Sequence, residues 1–158
     1  MSAQAEFLTP TIRTMLPADL DSVAAIEARS YIYPWSRGII SDCLRADYFS
    51  IVVEIGGAVV GYSIVSVAVA EAHILNLCID VDRQRQGLGN LLLQEALSYA
   101  RQQRVQRMFL EVRPSNDVAI RLYEQSGFNR LGHRPGYYLA ANDREDALVL
   151  AIQLGDEL

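Results

Sequence analysis

The feature of this sequence that most restricts its fold is a glycine-containing loop between a strand and a helix. The apolar stretch "HILNLCIDV" (73–81) predicts a strand, and "DRQRQGLGN" (82–90) follows it directly. The run "VQRMFLEV" (105–112) predicts the next strand. Because strand–helix–strand crossovers are almost always right-handed with parallel strands, the segment predicts a parallel pair in an α/β sheet. Apolar residues recur between the loop and the second strand at helical spacing, at Leu88, Leu91, Leu92, Ala96, Leu97 and Ala100.

Residue patterns predict the remaining elements. Short apolar runs predict strands in 9–16, 127–139 and 145–154, and Gly56-Gly57 joins two β-branched runs as a hairpin. Helices are expected over 17–31, after the capping Ser36, and over 115–128 with Ser115 or Asn116 as the cap. The order β, α, α, three strands, α, β, α, β, β predicts a mixed, mostly antiparallel twisted sheet with helices on both faces.

The composition is that of a soluble single-domain protein of the cytoplasm. The chain has 158 residues, 51% of them hydrophobic and 21% charged. No apolar run approaches the ~20 residues of a membrane span, and the N-terminus lacks a secretory signal pattern. The net charge of -5 disfavours direct nucleic-acid binding. Two cysteines without a CxxC pair and two histidines argue against structural zinc, so we expect a metal-free protein with free thiols. We also expect a monomer.

From its residues alone, the glycine loop has two interpretations. It is an ordinary turn, or its backbone amides hold an anion at the positive end of the following helix. Two familiar phosphate-binding patterns do not fit. A P-loop needs Lys-Ser or Lys-Thr after its last glycine, and a dinucleotide fingerprint needs a glycine where Leu92 stands.

The stretch "QRQGLG" (84–89) matches the Q/R-x-x-G-x-G/A signature of the GNAT superfamily, the acetyl-coenzyme A-dependent N-acetyltransferases. The resemblance implies one GNAT-fold domain over 1–158, with the parallel strand pair splayed around the cofactor. It implies that loop amides hold the pyrophosphate of acetyl-CoA and that the preceding strand pairs with the pantetheine arm. The implied cofactor-binding residues are Leu77, Cys78, Ile79, Arg85, Gln86, Gly87, Leu88, Gly89, Asn90 and Asn116. Cys78 is then a backbone contact or a core residue.

Five further motifs resemble the RimI family, which acetylates the N-termini of ribosomal proteins. They are "PWS" (34–36), "LEVRPSN" (110–116), "AIRLYEQSGF" (119–128), "GYY" (136–138) and "REDALVLAI" (144–152). The similarity extends over about residues 12–154 and leaves 1–11 as a tail. It implies transfer of an acetyl group to the N-terminal alanine amine of a small-subunit ribosomal protein, by direct attack in a ternary complex.

Glu111 is the candidate general base. It is a carboxylate within the apolar strand "MFLEV" (108–112), and burial makes a carboxylate a stronger base. An ion pair with Arg113, two residues further along the strand, is the structural alternative. The family resemblance implies that Glu111 is the proton acceptor.

Tyr123 and Asn116 lie in the short helix that follows. A phenol stays protonated at neutral pH and can donate to a departing thiolate, although an aromatic residue there also suits the core. The resemblance implies that Tyr123 is the general acid. Asn116 suits both a cofactor contact and a helix cap, and the two roles are compatible.

Peptide recognition is less constrained by the sequence. Tyr31, Tyr33, Trp35, Tyr137 and Tyr138 are candidates for the wall of a peptide groove, or for core packing. Glu27, Asp42 and Asp47 suit either a basic substrate tail or surface solvation. Two other functions stay open: acetylation of a lysine or small-molecule amine, and non-catalytic binding of acyl-CoA.

Overall fold

The computed structural model describes residues 9–140 and 144–155. The strands are β1 (Thr11–Thr14), β2 (Phe49–Ile55), β3 (Ala58–Ala68), β4 (Glu71–Ile79), β5 (Arg107–Val112), β6 (Asn129–Leu139) and β7 (Arg144–Gln153). The helices are α1 (Leu20–Ser30), α2 (Arg37–Arg45), α3 (Leu88–Gln102) and α4 (Asp117–Gln125), and 3-10 turns span Pro17–Asp19 and Val81–Arg83. The predicted order of helices and strands is confirmed. Within the described residues, no helix combines the length and apolar character needed to span a membrane.

The strands form a seven-stranded sheet in the order β1-β2-β3-β4-β5-β7-β6. The pair β4–β5 is parallel, with registers from Glu71–Arg107 to Ile74–Leu110. The pairs β1–β2, β2–β3, β5–β7 and β6–β7 are antiparallel. The mixed, mostly antiparallel sheet with a parallel pair is therefore confirmed. Both Gly56 and Gly57 have positive φ, as the predicted hairpin turn requires.

The chain contacts fall into two compact units. The first contains the described residues up to Ser66 together with Asn76–Ala96, and the second contains Val67–Leu75 together with the described residues from Leu97. In the first unit, Leu88 and Leu92 are buried in one apolar cluster with residues of β2 and β3. Leu77 and Ile79 of β4 pack against the same cluster. This packing fixes the first turn of α3 against the sheet.

Leu91 does not belong to the buried stripe of α3, contrary to the sequence-based expectation. It is 39% exposed, whereas Leu93 is fully buried. The buried positions Leu92, Leu93, Ala96, Leu97 and Ala100 are centred on one side of the helix. At about 100° per residue, Leu91 points away from that centre.

Gly61 of β3 sits where the neighbouring strands leave no space for a side chain. A Cβ at this position would lie 2.6 Å from Ile79 Cδ1 and 3.0 Å from the Cys78 carbonyl oxygen. Such distances require the neighbours to shift, which typically costs ~1–3 kcal/mol. The glycine therefore allows β3 to approach the end of β4 closely.

A charge cluster in the first unit fixes the start of α1. Arg13 donates to both carboxylate oxygens of Asp19, at 2.7 and 2.8 Å, and also to Glu54. Asp19 accepts a further bond of 2.7 Å from the Leu16 N–H. The bonds from Arg13 are the main reason that the pKa of Asp19 is lowered from its ordinary value of 3.8.

Asp19→Asn is expected to lower the free energy of unfolding at neutral pH by about 1–2 kcal/mol, discounted because Arg13 is partly exposed. Since the pKa is lower in the folded state, the Asp19 contribution is complete above the ordinary value of 3.8 and is lost as the pH falls below it. Urea unfolding at several pH values measures the difference between the two proteins. We expect that difference to shrink towards acidic pH. Asp21→Asn is the control, because the Asp21 side chain is 87% exposed.

Candidate active site

The loop before α3 has a backbone conformation that few residues adopt. Gly87 has φ 77° and Arg85 has φ 64°, so a non-glycine residue also lies in the left-handed region. That conformation costs a non-glycine residue roughly 1–2 kcal/mol. No atom lies within 4 Å of a Cβ built on Gly87, and Arg85, Gln86 and Gly87 are all exposed. The backbone of this loop is therefore open to solvent.

The first turn of α3 supplies hydrogen-bond donors next to this loop. The Leu91 N–H donates to the Gly87 carbonyl at 3.1 Å. The amides of Leu88, Gly89 and Asn90 precede that bond and have no acceptor within the helix. A long helix adds a partial positive charge at this end. Together with the open backbone at Gly87, these donors suit an anionic group such as a diphosphate.

The end of β4 carries the three residues expected along the pantetheine arm. Leu77 and Ile79 are half-buried against the apolar cluster, and Cys78 is 3% exposed. Burial is the main cause that raises the pKa of the Cys78 thiol to about 11. A thiol so protonated is a poor nucleophile, which agrees with a core or backbone role.

In the second unit, Glu111 of β5 is a buried carboxylate with two basic neighbours. Its side chain is 3% exposed. Oε2 lies 2.5 Å from His73 Nε2 on β4, and Oε1 lies 3.4 Å from Arg134 Nη2 on β6. The His73 ring stacks on Phe109, with centroids 4.3 Å apart. The stacking and the short contact hold the carboxylate in one orientation.

The two oxygens of Glu111 differ in their hydrogen bonding. Oε2 is occupied by His73, whereas Oε1 is buried and receives no hydrogen bond from the described residues. The Arg134 contact to Oε1 is an electrostatic one at 3.4 Å, longer than a good hydrogen bond. Oε1 therefore keeps an acceptor position, which a general base requires.

Arg113 does not pair with Glu111, so the ion pair expected between these two residues is wrong. Arg113 Nη1 donates to Glu145 at 3.1 Å and to the Leu139 carbonyl at 2.9 Å. Its guanidinium lies 4.4 Å from the centre of the Tyr138 ring. Glu145 also accepts from the Ser115 hydroxyl at 2.9 Å. These contacts fix the tyrosines of β6 beside the exit of β5.

Tyr137 and Tyr138 lie in the electrostatic surroundings of Glu111. Burial is the first cause that raises the pKa of both phenols, and the negative charge of Glu111 adds to it. Tyr123 also raises the pKa of Tyr138, whereas Arg113 lowers it. Tyr138 is thus close to both catalytic candidates, and both β6 phenols remain neutral donors near neutral pH.

The short helix α4 carries the other two candidates of this unit. Tyr123 is 6% exposed and its ring meets Phe128 edge-on, with centroids 5.6 Å apart. Asn116 is the N-cap, and its side-chain oxygen accepts from the Ala119 N–H at 3.2 Å. The cap role of Asn116 is confirmed, and its contact with the cofactor stays a prediction. Within the described ranges, no cluster of three or more His, Cys, Asp or Glu residues is arranged to hold a metal ion.

The sequence analysis did not predict two neighbours of Glu111, and it predicted an exposed position for one carboxylate that is buried. His73 and Arg134 reach Glu111 from strands 38 residues before and 23 residues after it. A signal for His73 was present, since it is a titratable ring at the start of the mostly apolar stretch "HILNLCIDV". Glu27 was assigned to a substrate-binding or solvated surface, but it is only 2% exposed.

Comparisons with known proteins identify the family of this chain. The sequence model of the acetyltransferase (GNAT) family matches residues 17–128. The [ribosomal protein bS18]-alanine N-acetyltransferase of Escherichia coli K12 is 35% identical over 144 residues, which cover 91% of this chain and 97% of that protein.

Solved structures extend the similarity to the fold. The crystal structure of the Escherichia coli ribosomal-protein-S18-alanine N-acetyltransferase gives a TM-score of 0.88 at 34% identity, over 94% of this chain and 96% of that one. Ard1 from Thermoplasma volcanium gives a TM-score of 0.85 at 31% identity, over 94% and 100% of the two chains. The family match covers well over half of the sequence, and the chain therefore belongs to the GNAT acetyltransferases.

Proposed function

We propose that this enzyme transfers the acetyl group of acetyl-CoA to the N-terminal alanine amine of a small-subunit ribosomal protein. Its Escherichia coli relative is named a [ribosomal protein bS18]-alanine N-acetyltransferase. The observation that supports it most is the buried Glu111 carboxylate, whose Oε1 accepts no hydrogen bond from the described residues. An α-amine suits such a base, since its pKa is about 7.7–8.0 against about 10.4 for lysine. A single well-placed carboxylate then suffices for the deprotonation.

The loop and the first turn of α3 fit the acyl donor. The amides of Leu88, Gly89 and Asn90 would bind the pyrophosphate, and the open backbone at Gly87 admits its bulk. Arg85 and Gln86 would add contacts beside it, and Leu77, Cys78 and Ile79 would line the pantetheine arm. Asn116 would contact the same ligand from α4 while it caps that helix. When bound, acetyl-CoA supplies the thioester whose acetyl group is transferred.

In the proposed mechanism each proton has a stated acceptor. Glu111 Oε1 accepts a proton from the α-ammonium, and the amine attacks the thioester carbonyl directly in a ternary complex. The new C–N bond forms as the C–S bond breaks. Tyr123 donates its phenolic proton to the departing thiolate, so that CoA leaves as a neutral thiol. The acylated nitrogen loses its second proton through solvent to the Tyr123 phenolate, which restores the phenol. No covalent acyl-enzyme is required, which agrees with the protonated state of Cys78.

His73 extends this scheme, because it is the hydrogen-bond partner of the base and its side chain is 22% exposed. It holds Glu111 in place and connects the buried carboxylate to the surface. A proton taken from the substrate can pass from Glu111 to the imidazole and then to solvent.

His73→Gln and His73→Phe separate these two roles. Glutamine keeps a hydrogen-bond donor for Oε2 but cannot carry a proton, and phenylalanine keeps only the stacking surface. We expect kcat to fall about tenfold or more for phenylalanine and less for glutamine. Steady-state kinetics with the peptide at several pH values measures both variants. If both variants kept the wild-type kcat, His73 would have no role in the reaction.

The function is tested with acetyl-CoA and a short basic peptide that begins with alanine. A second peptide with a blocked N-terminus and a free lysine runs beside it. Free CoA thiol is measured by absorbance, and mass spectrometry locates the acetyl group. Because all 14 basic residues of this chain are arginines, the enzyme has no lysine side chain that can accept acetyl groups.

Acetylation of the free α-amine alone would support the proposal. Turnover on the lysine peptide would instead indicate a different amine substrate. Binding of acetyl-CoA without turnover on either peptide would indicate an acyl-CoA-binding module.

A further inference from the structure

The first unit contains a buried carboxylate that the proposed mechanism does not use. Glu27, near the end of α1, is 2% exposed. Its Oε2 accepts the backbone N–H of Trp35 at 2.8 Å. Its Oε1 accepts the Asn76 side-chain amide at 2.9 Å and the hydroxyl of the fully buried Tyr62. We call Glu27, Tyr62, Asn76 and the Trp35 N–H the Glu27 cluster.

The Glu27 cluster offsets the desolvation of a buried carboxylate without a cation. A buried carboxylate normally needs an opposite charge or several hydrogen bonds to offset its desolvation. The described residues give Glu27 no ion pair, and its hydrogen bonds come from three neutral donors. Asn76 also donates to the Tyr62 hydroxyl at 2.8 Å. Every donor is therefore used, and loss of the carboxylate would strand three of them.

The three donors come from β3, β4 and the segment between α1 and α2. The donor from Trp35 matters most here, because its segment is not part of the sheet. Strands β3 and β4, which carry Tyr62 and Asn76, are already held as neighbours in the sheet. Trp35 belongs to the segment 31–36 between α1 and α2, where Ile32 is 88% and Tyr33 is 41% exposed. The Glu27–Trp35 bond therefore fixes an irregular segment that exposes apolar and aromatic side chains to solvent.

The same cluster connects this segment to the strand expected along the acyl donor. Asn76 directly precedes Leu77, Cys78 and Ile79 on β4. A single carboxylate thus sets the position of segment 31–36 relative to those residues. An exposed loop held at a fixed distance from the donor strand is suited to place an acceptor peptide.

We propose that Glu27 is a positioning residue for the peptide acceptor, acting through the Trp35 N–H on segment 31–36. This inference rests on the proposed function for the identity of the acceptor. It assigns to Glu27 no contact with substrate, since the carboxylate is buried. Its loss should weaken use of the peptide while leaving use of acetyl-CoA unchanged.

The kinetic test uses Glu27→Gln, which preserves shape but replaces one acceptor oxygen with an amide donor. We expect the KM for the peptide to rise about tenfold, the effect of one lost bond to a charged group. The KM for acetyl-CoA should stay at the wild-type value. Ile26→Val is the control. Ile26 lies on the same helix and is 1% exposed, and its side chain is entirely apolar. It lowers stability without touching the cluster.

A second measurement does not depend on activity. Trp35 is the single tryptophan of the chain, so its fluorescence reports on segment 31–36. Acrylamide quenching of Trp35 should increase clearly in Glu27→Gln and stay at the wild-type value in Ile26→Val. Glu27→Asp, which keeps the charge but shortens the side chain, should give intermediate quenching and serves as the second variant if the glutamine protein does not fold.

The outcomes separate this inference from the proposed function. Unchanged Trp35 quenching in the Glu27 variants would overturn it, as would equal increases in the KM for peptide and for acetyl-CoA. If the wild-type enzyme acetylates no peptide α-amine, the proposed function fails, and the quenching still decides whether Glu27 fixes the segment. Increased quenching with a selective rise in the peptide KM would support both.

Discussion

Glu111→Gln is expected to lower kcat/KM for the alanine-starting peptide by about 10²–10³-fold, the usual contribution of a general base. Glutamine keeps the volume and the polar contact to His73 but cannot accept a proton. The residual rate should increase with pH up to about 8, because a larger fraction of the α-amine is then already unprotonated. Initial rates measured across this pH range test both statements.

Two controls make the Glu111 result specific. The Kd for acetyl-CoA, measured by calorimetry, should be unchanged, since the carboxylate is not expected to contact the donor. Glu71→Gln removes a carboxylate that is 47% exposed on the neighbouring strand, and it should keep wild-type activity. A Glu111→Gln enzyme with nearly wild-type kcat/KM would show that another group takes the proton.

Tyr123→Phe is expected to reduce kcat about 10²-fold, while the KM for acetyl-CoA changes little. Phenylalanine retains the ring that packs edge-on against Phe128. It loses only the hydroxyl that we propose protonates the departing thiolate. Steady-state kinetics and thermal unfolding of the same preparation separate a chemical effect from a packing effect.

For Tyr123 the matched control is Tyr48→Phe, since Tyr48 is 38% exposed and belongs to neither proposed binding region. We expect wild-type kinetics from it. If Tyr123→Phe lost stability in proportion to activity, a core role would explain the residue better than acid catalysis would.

Local patterns in the sequence were sufficient for the order of the helices and strands. Glycine pairs, caps and periodicity act over a few residues. They correctly predicted the hairpin at Gly56-Gly57 and narrowed the helix cap to Ser115 or Asn116, of which the structure has Asn116. The apolar neighbours of Glu111 likewise indicated its burial. The comparisons confirm the family that the loop motif indicated.

Such local patterns could not predict which residues distant in sequence contact each other. Alternation along β4 shows that His73, Leu75 and Leu77 face one way, but not which residue of β5 they meet. A shift of one residue in register reverses the facing of a whole strand. Glu27 was placed at the surface because unpaired carboxylates are almost never buried. Its donors Tyr62 and Asn76 lie 35 and 49 positions away in the chain.

The division of the contacts into two units has a consequence for any fragment of this protein. Neither unit is continuous in sequence, because Val67–Leu75 belongs to the second unit and interrupts the first. A single cut in the gene therefore cannot release either unit whole. An N-terminal fragment ending at Ala96 would carry Val67–Leu75 without the β5 residues that pair with it. During synthesis on the ribosome, β4 likewise cannot form its parallel pairing until Arg107–Val112 has emerged.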